Sequence, residues 1–316
     1  MTIGATLVAS ALIVLGRPST WPLALAGFLV RGGFALFLIP IIILPTPVGL
    51  ANVLAPLVED IAFGRRSDEL LAVLGIGGLA LLAWLIGGGL VAAAVEGELV
   101  RRVASDDEVL GSSAGWPVAG VGLGRAWRIV AARVTVHLPF VVALMWGSIR
   151  IVAVTYRELT VPSDVTAPIA ARVLTGAPDA VAAIVLAWLV GETIGAHAAR
   201  RIVLLGEGLP GALRGALGQF VRHPFRGPWL TALTSAVLAV VLIVTGLAAS
   251  TAWDAVRGAL AFGADPLAPV GLVVVLVALF GGGLTLGAVV LAWRSAIWTV
   301  DAAGTFGVPP GRRPGD

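Results

Sequence analysis

The sequence predicts an all-α, polytopic membrane protein with six transmembrane helices, interfacial amphipathic helices and both termini in the cytoplasm. Three observations lead there. The chain carries too few charges to clothe a soluble fold, it contains six long apolar runs, and its arginines gather at one end of those runs.

Hydrophobic residues make up 58% of the chain and charged residues 12%, with a mean hydropathy of +1.00. A soluble domain carries about 25% charged residues, so lipid must solvate most of this surface. No polar stretch is long enough to fold a second domain. Cysteine is absent, which excludes disulfides, thiolate metal sites and cysteine nucleophiles together. The net charge is +3 and every basic residue is arginine. These arginines are not interleaved with aromatics along a polar domain, so nucleic acid is not an expected partner. Arginine in place of lysine, with 41 glycines, fits a GC-rich coding sequence. The expected location is the plasma (inner) membrane of a bacterium.

Each apolar run reaches the roughly 20 residues that a spanning helix needs: Trp21–Leu44, Leu70–Val95, His137–Tyr156, Ala177–Ala196, Trp229–Ala249 and Pro269–Trp293. They are apolar all round and lack the period-two alternation of barrel strands. Residues 1–16 are apolar but, at about 1.5 Å per residue, too short to cross roughly 30 Å of hydrocarbon. They have no basic leader and no small-x-small cleavage site, so they read as an interfacial helix.

Arginine placement sets the orientation. With the N-terminus inside, the inner segments hold Arg17, then Arg101 to Arg133, then Arg200 to Arg226, then Arg294, Arg312 and Arg313. The outer loops hold only Arg65, Arg66, Arg157, Arg172 and Arg257. This asymmetry follows the positive-inside rule.

The chain also repeats a plan. A short helix ends in Arg or His near a proline, and an inside-to-outside span follows, at Arg17-Pro18, at His137-Leu138-Pro139 and at His223-Pro224. In the third copy Leu213, Leu217, Phe220 and Val221 form an apolar face apart from Arg214 and Arg222, as an interfacial helix requires. Leu50–Phe63, Val165–Gly176 and Ser250–Gly263 are expected to form short outer-interface helices. The triplets Gly87-Gly88-Gly89 and Gly281-Gly282-Gly283 are read as packing surfaces, because small residues let helices approach closely. The expected organisation is one membrane domain over residues 1–306, in three parallel two-span repeats of about 1–110, 111–206 and 207–306, with a disordered tail over 307–316.

The Gly-Leu turn, the Ala-Leu or Ala-Trp helix bearing Arg, the Arg/His-Pro break and the long span lie in Gly122–Arg133 and Leu205–Pro224. Here the chain resembles the membrane domain associated with glycerophosphoryl diester phosphodiesterases and related multi-span proteins. The resemblance implies an architecture. That family's soluble phosphodiesterase domain, with its metal-binding carboxylates and histidines, has no counterpart in these residues, so no activity is implied.

Among single residues Arg31 stands out, ten positions after Trp21 and so about 15 Å into its helix. A lone arginine near the bilayer centre costs at least about 2.5–3.5 kcal/mol and demands a partner or a wet cavity. Glu192 is the first expected partner and Glu96 the second. Arg150 lies close enough to Tyr156 to snorkel to the outer interface. Arg17, His137 and His223 are read as interfacial breaks. Glu192 and His197 are five apart, about 140° around a helix, and do not share a face as metal ligands would. The cluster Asp106, Asp107 and Glu108 reads as a solvated loop. No metal and no cofactor is expected.

Two functions follow as expectations. One is a non-catalytic scaffold that contacts membrane lipid or a second membrane protein. The other is a transporter or channel for a small solute or lipid, with Arg31 in or near the pathway. An intramembrane enzyme acting on lipid lacks a convergent nucleophile, base or metal set.

Overall fold

A computed structural model describes residues 2–33, 68–105, 122–261 and 267–306. Among the described residues the secondary structure is helical throughout, with no strand. Those residues form nine α-helices in order: α1 (Ile3–Gly16), α2 (Thr20–Phe28), α3 (Asp68–Ala104), α4 (Leu123–Thr160), α5 (Ile169–Gly176), α6 (Pro178–Leu204), α7 (Leu209–Arg222), α8 (Arg226–Ala261) and α9 (Leu267–Phe306). Five of them, α3, α4, α6, α8 and α9, are long and apolar enough to cross a membrane. A sixth span is present if Ile3–Gly16 and Thr20–Gly33 count as one broken element. The far half of the expected first span, the outer segment Leu50–Phe63, the acidic cluster Asp106-Asp107-Glu108 and the tail from Gly307 lie outside the described residues.

Helix lengths exceed what a bilayer requires. The 38 residues of α4 and the 40 of α9 extend about 57 and 60 Å, against roughly 30 Å of hydrocarbon. Two expectations change as a result. His137 and Pro139 form no break and sit inside the continuous helix α4. Proline is tolerated within spanning helices where neighbours and local adjustments satisfy the freed backbone groups. Likewise residues 250–261 form no separate outer helix and complete α8. Breaks are present at Arg17–Ser19, between α1 and α2, and at His223, between α7 and α8.

The chain divides into two compact units: Met1–Gly16, Gly97–Ala236 and Trp293–Asp316 form one, Arg17–Glu96 and Val237–Ala292 the other.

In the first unit, α4 and α6 run antiparallel. Val154 packs with Ala177 and Ala180, a Cβ on Gly147 would meet Ile184 at 2.6 Å, and Gly191 takes the ring of His137. Small residues set this close spacing, as membrane helix pairs require. Ala196, Leu230, Ile297 and Trp298 form a buried core with Ile3, Leu7 and Trp293 against it. The Trp293 indole donates to the Leu7 carbonyl at 3.3 Å.

In the second unit, α2 ends in a π-helical turn over Leu29–Gly33, with Gly32 at φ 102°, a conformation that favours glycine. The turn frees the Val30 carbonyl, which accepts the Trp84 indole N–H at 2.8 Å. The exposed side of α3 is apolar, with Ile76, Leu79 and Leu82 all open, as a lipid-solvated helix demands.

Candidate functional site

Among the described residues charged groups converge around Glu192, at Arg31 and around α7, each within one unit, as well as in local pairs such as Glu98 with Arg101 and Arg102 and Glu158 with Arg172. The first centres on Glu192 of α6. Its Oε2 accepts from Arg294 Nη2 of α9 at 2.9 Å, and its Oε1 faces Arg133 Nη1 of α4 at 3.5 Å. His137 Nε2 stands 3.4 Å from the same Oε1. The other ring nitrogen, Nδ1, bonds the Arg133 carbonyl at 2.8 Å. A carbonyl only accepts, so the proton there sits on Nδ1. With both carboxylate oxygens occupied by guanidinium donors, Glu192 is placed to tie three helices together and is poorly placed to act as a base or nucleophile.

The second place corrects an expected pairing. Arg31 bonds Glu96, Nη2 to Oε2, at 2.7 Å, and Glu192 is taken by Arg133, Arg294 and His137 as described. Depth along a straight helix ranked Glu192 first. Arg31 lies within the π-turn over Leu29–Gly33, whose non-helical residue is Gly32, so a straight-helix count does not fix which neighbour its side chain meets. Glu96 is buried and Arg31 is half exposed. Arg150, expected to snorkel, reaches Asp179 Oδ2 at 3.4 Å with both side chains half exposed. Asp179 lies in the first turn of α6, where negative charge complements the helix dipole.

The third place surrounds α7. Helix α6 stops where Gly206 adopts φ 68°, a left-handed conformation common just after a helix end, and the Glu207 amide donates to the Arg201 carbonyl at 3.4 Å. That turn brings the Glu207 carboxylate onto Arg201, with Nε–Oε2 at 2.9 Å and Nη2–Oε1 at 2.6 Å. Arg201 also lies over the Phe306 ring, 5.1 Å from its centroid. Helix α7 then runs to His223, which caps it through its amide to the Gln219 carbonyl.

A cavity of about 540 Å³ lies along α7, lined by Arg201, Arg214, Gly218, Gln219, Arg222, His223, Thr305 and Phe306 among others. Beside it, a cavity of about 130 Å³ is lined by Thr193, His197, Arg226 and Asp301 and shares Gln219, His223 and Thr305 with the first. Gln219 Nε2 donates to Thr305 Oγ1 at 3.0 Å on the common wall. Arg226 is bound to Asp301 at 2.6 Å. His197 is buried, stacks edge-on against Trp298 at 5.1 Å, and its Nδ1 has no hydrogen-bond partner among the described residues.

Several of these groups carried no distinguishing signal in the sequence. Arg133, Arg226 and Arg294 read as topology-setting charges, yet each bonds a carboxylate. Asp301 belongs to no sequence motif. Arg200, counted the same way, is buried and donates to the Ser295 carbonyl and hydroxyl at 3.2 Å. Acid-base spacing of 75 residues or 102 residues has no local pattern to reveal it. Among the described residues no group of three or more His, Asp or Glu is arranged to hold a metal ion.

Family models, curated proteins and solved structures yield no match to this chain.

Proposed function

We propose that this protein is a non-catalytic, multi-pass plasma-membrane protein that serves as a scaffold in contact with lipid. The observation that carries the reading is the pairing of the charges expected inside the membrane. Arg31 holds Glu96, and Glu192 holds Arg294 and Arg133. A paired charge in low dielectric is a structural lock, whereas a transport pathway or catalytic site leaves a charge available to its substrate. Apolar side chains facing outward along α3, α4 and α8 supply the lipid contact. The architectural resemblance to the phosphodiesterase-associated membrane domain fits a role without chemistry of its own. N-in/C-in topology, three parallel repeats and a bacterial inner membrane belong to the same proposal.

A second reading, a transporter with Arg31 near the pathway, draws on one feature. The helix bearing Arg31 is discontinuous at Leu29–Gly33, and transporter binding sites are built from such broken helices. Reconstitution into vesicles separates the two. The scaffold reading expects phospholipid retained through purification and no solute flux. Flux that vanishes in Arg31→Ala, with the protein still folded, would overturn it.

A further inference from the structure

We infer that the larger α7 cavity is a binding site for a phosphate-bearing group. Arg214 and Arg222 are eight residues apart, about 12 Å along the helix, and Gly218 lies four residues from each. All three line the cavity. The two arginines are exposed, and neither has an ion-pair partner among the described residues. Arg201, by contrast, is neutralised by Glu207. The cavity therefore presents two uncompensated guanidinium groups and the imidazole of His223. Guanidinium forks match phosphate oxygens in charge and planar geometry.

The floor is open by construction. A Cβ on Gly218 would meet nothing within 4 Å. Gln219 and Thr305 add polar groups to the wall shared with the smaller cavity, whose buried His197 has no partner at Nδ1 among the described residues. Exposed apolar residues lie close by in sequence: Leu217, Val221, Phe225 and Trp229. They suit an acyl chain and the headgroup layer.

The phosphate is carried by a lipid headgroup or arrives free. The lipid form rests on the lipid-contact reading above, whereas the free form does not. The test uses the full chain in detergent, titrated with dioctanoyl phosphatidic acid, dioctanoyl phosphatidylcholine and inorganic phosphate. Wild type is expected to bind phosphatidic acid in preference to phosphatidylcholine. Arg214→Gln and Arg222→Gln should each weaken that binding roughly tenfold, the loss of one charge-assisted contact. Gly218→Leu keeps every charge and projects an isobutyl group between the two arginines, and should weaken binding with no fall in Tm. Phosphate that binds and displaces phosphatidic acid assigns a free anion. Phosphatidic acid that binds without phosphate competition assigns a lipid. No binding of either, or binding unchanged in all three variants, overturns the site while leaving the scaffold reading intact.

Discussion

Arg294 Nη2 stands 2.9 Å from Glu192 Oε2 and links residues 102 positions apart. The same carboxylate faces Arg133 of α4, so one side chain joins α4, α6 and α9. All three side chains are about four-fifths buried. Replacing Glu192 with Ala removes the carboxylate that Arg133 and Arg294 face, and breaking a buried pair costs about 3–5 kcal/mol. Residual exposure puts the expected loss at the low end, about 3 kcal/mol. Adding Arg294→Met to Glu192→Ala should recover part of it. Thermal unfolding followed by tryptophan fluorescence reads both, and an unchanged Tm in Glu192→Ala would remove the carboxylate from the structural account.

The Arg31–Glu96 pair calls for a charge swap. Arg31→Glu alone places two carboxylates together and should lower folded yield, and Glu96→Arg alone should do the same with two guanidiniums. The double variant Arg31→Glu/Glu96→Arg should restore yield, while Arg31→Glu/Glu192→Arg should not. Rescue by the second combination would restore the pairing read from the sequence.

That misplaced partner shows where sequence reasoning reached and where it stopped. The spans were legible because apolar composition over twenty residues is a one-dimensional signal. Arg17-Pro18 and His223-Pro224 were legible as breaks because each proline follows directly on an Arg or His at the end of a short helix. His137-Leu138-Pro139 carries nearly the same letters, but there α4 continues, with the His137 ring against Gly191. Depth along a helix follows from counting residues, whereas azimuth does not survive a π-turn such as that at Gly32. The α7 cavity is partly readable, since Arg214, Gly218 and Arg222 follow helical spacing. Its far wall, Thr305 and Phe306, depends on long-range packing.

The second glycine triplet separates packing from propensity. A Cβ on Gly283 would collide with the Thr245 side chain, whereas one on Gly281 would meet nothing within 4 Å. Gly283→Ala should therefore destabilise by about 1–3 kcal/mol, the usual cost of overpacking. Gly281→Ala should gain about 0.5 kcal/mol from reduced backbone entropy. Opposite shifts in Tm are the expected pattern, and equal shifts would deny that α8 and α9 meet at Gly283.

Asp164, in the segment between α4 and α5, accepts the Thr166 hydroxyl at 2.7 Å and its amide at 2.8 Å. Those bonds, the hydroxyl first, hold its carboxyl below the ordinary value of 3.8. The sign follows from linkage. With the folded value depressed, the bonded form is fully present above pH 3.8 and is lost as pH falls through the lower, folded value. The Thr166 amide resonance should titrate with a midpoint below 3.8 and lose that titration in Asp164→Ala. A midpoint at or above the ordinary value would contradict the turn.

Topology is testable without background because the chain has no cysteine. Under N-in/C-in orientation the segment around Ser163 faces outward, and the segments around Ser112 and Gln219 face the cytoplasm. A membrane-impermeant maleimide applied to intact cells should therefore label Ser163→Cys and leave Ser112→Cys and Gln219→Cys unlabelled until the membrane is opened. The physical basis is the excess of arginine near the inner ends of the apolar runs, which resists translocation. Many of those arginines are also engaged in ion pairs, among them Arg133, Arg201, Arg226 and Arg294. Pairing in the folded protein leaves the argument standing, because orientation is set during insertion, before α4, α6 and α9 pack. Label on Gln219→Cys in intact cells would reverse the orientation and move the α7 cavity to the outer leaflet.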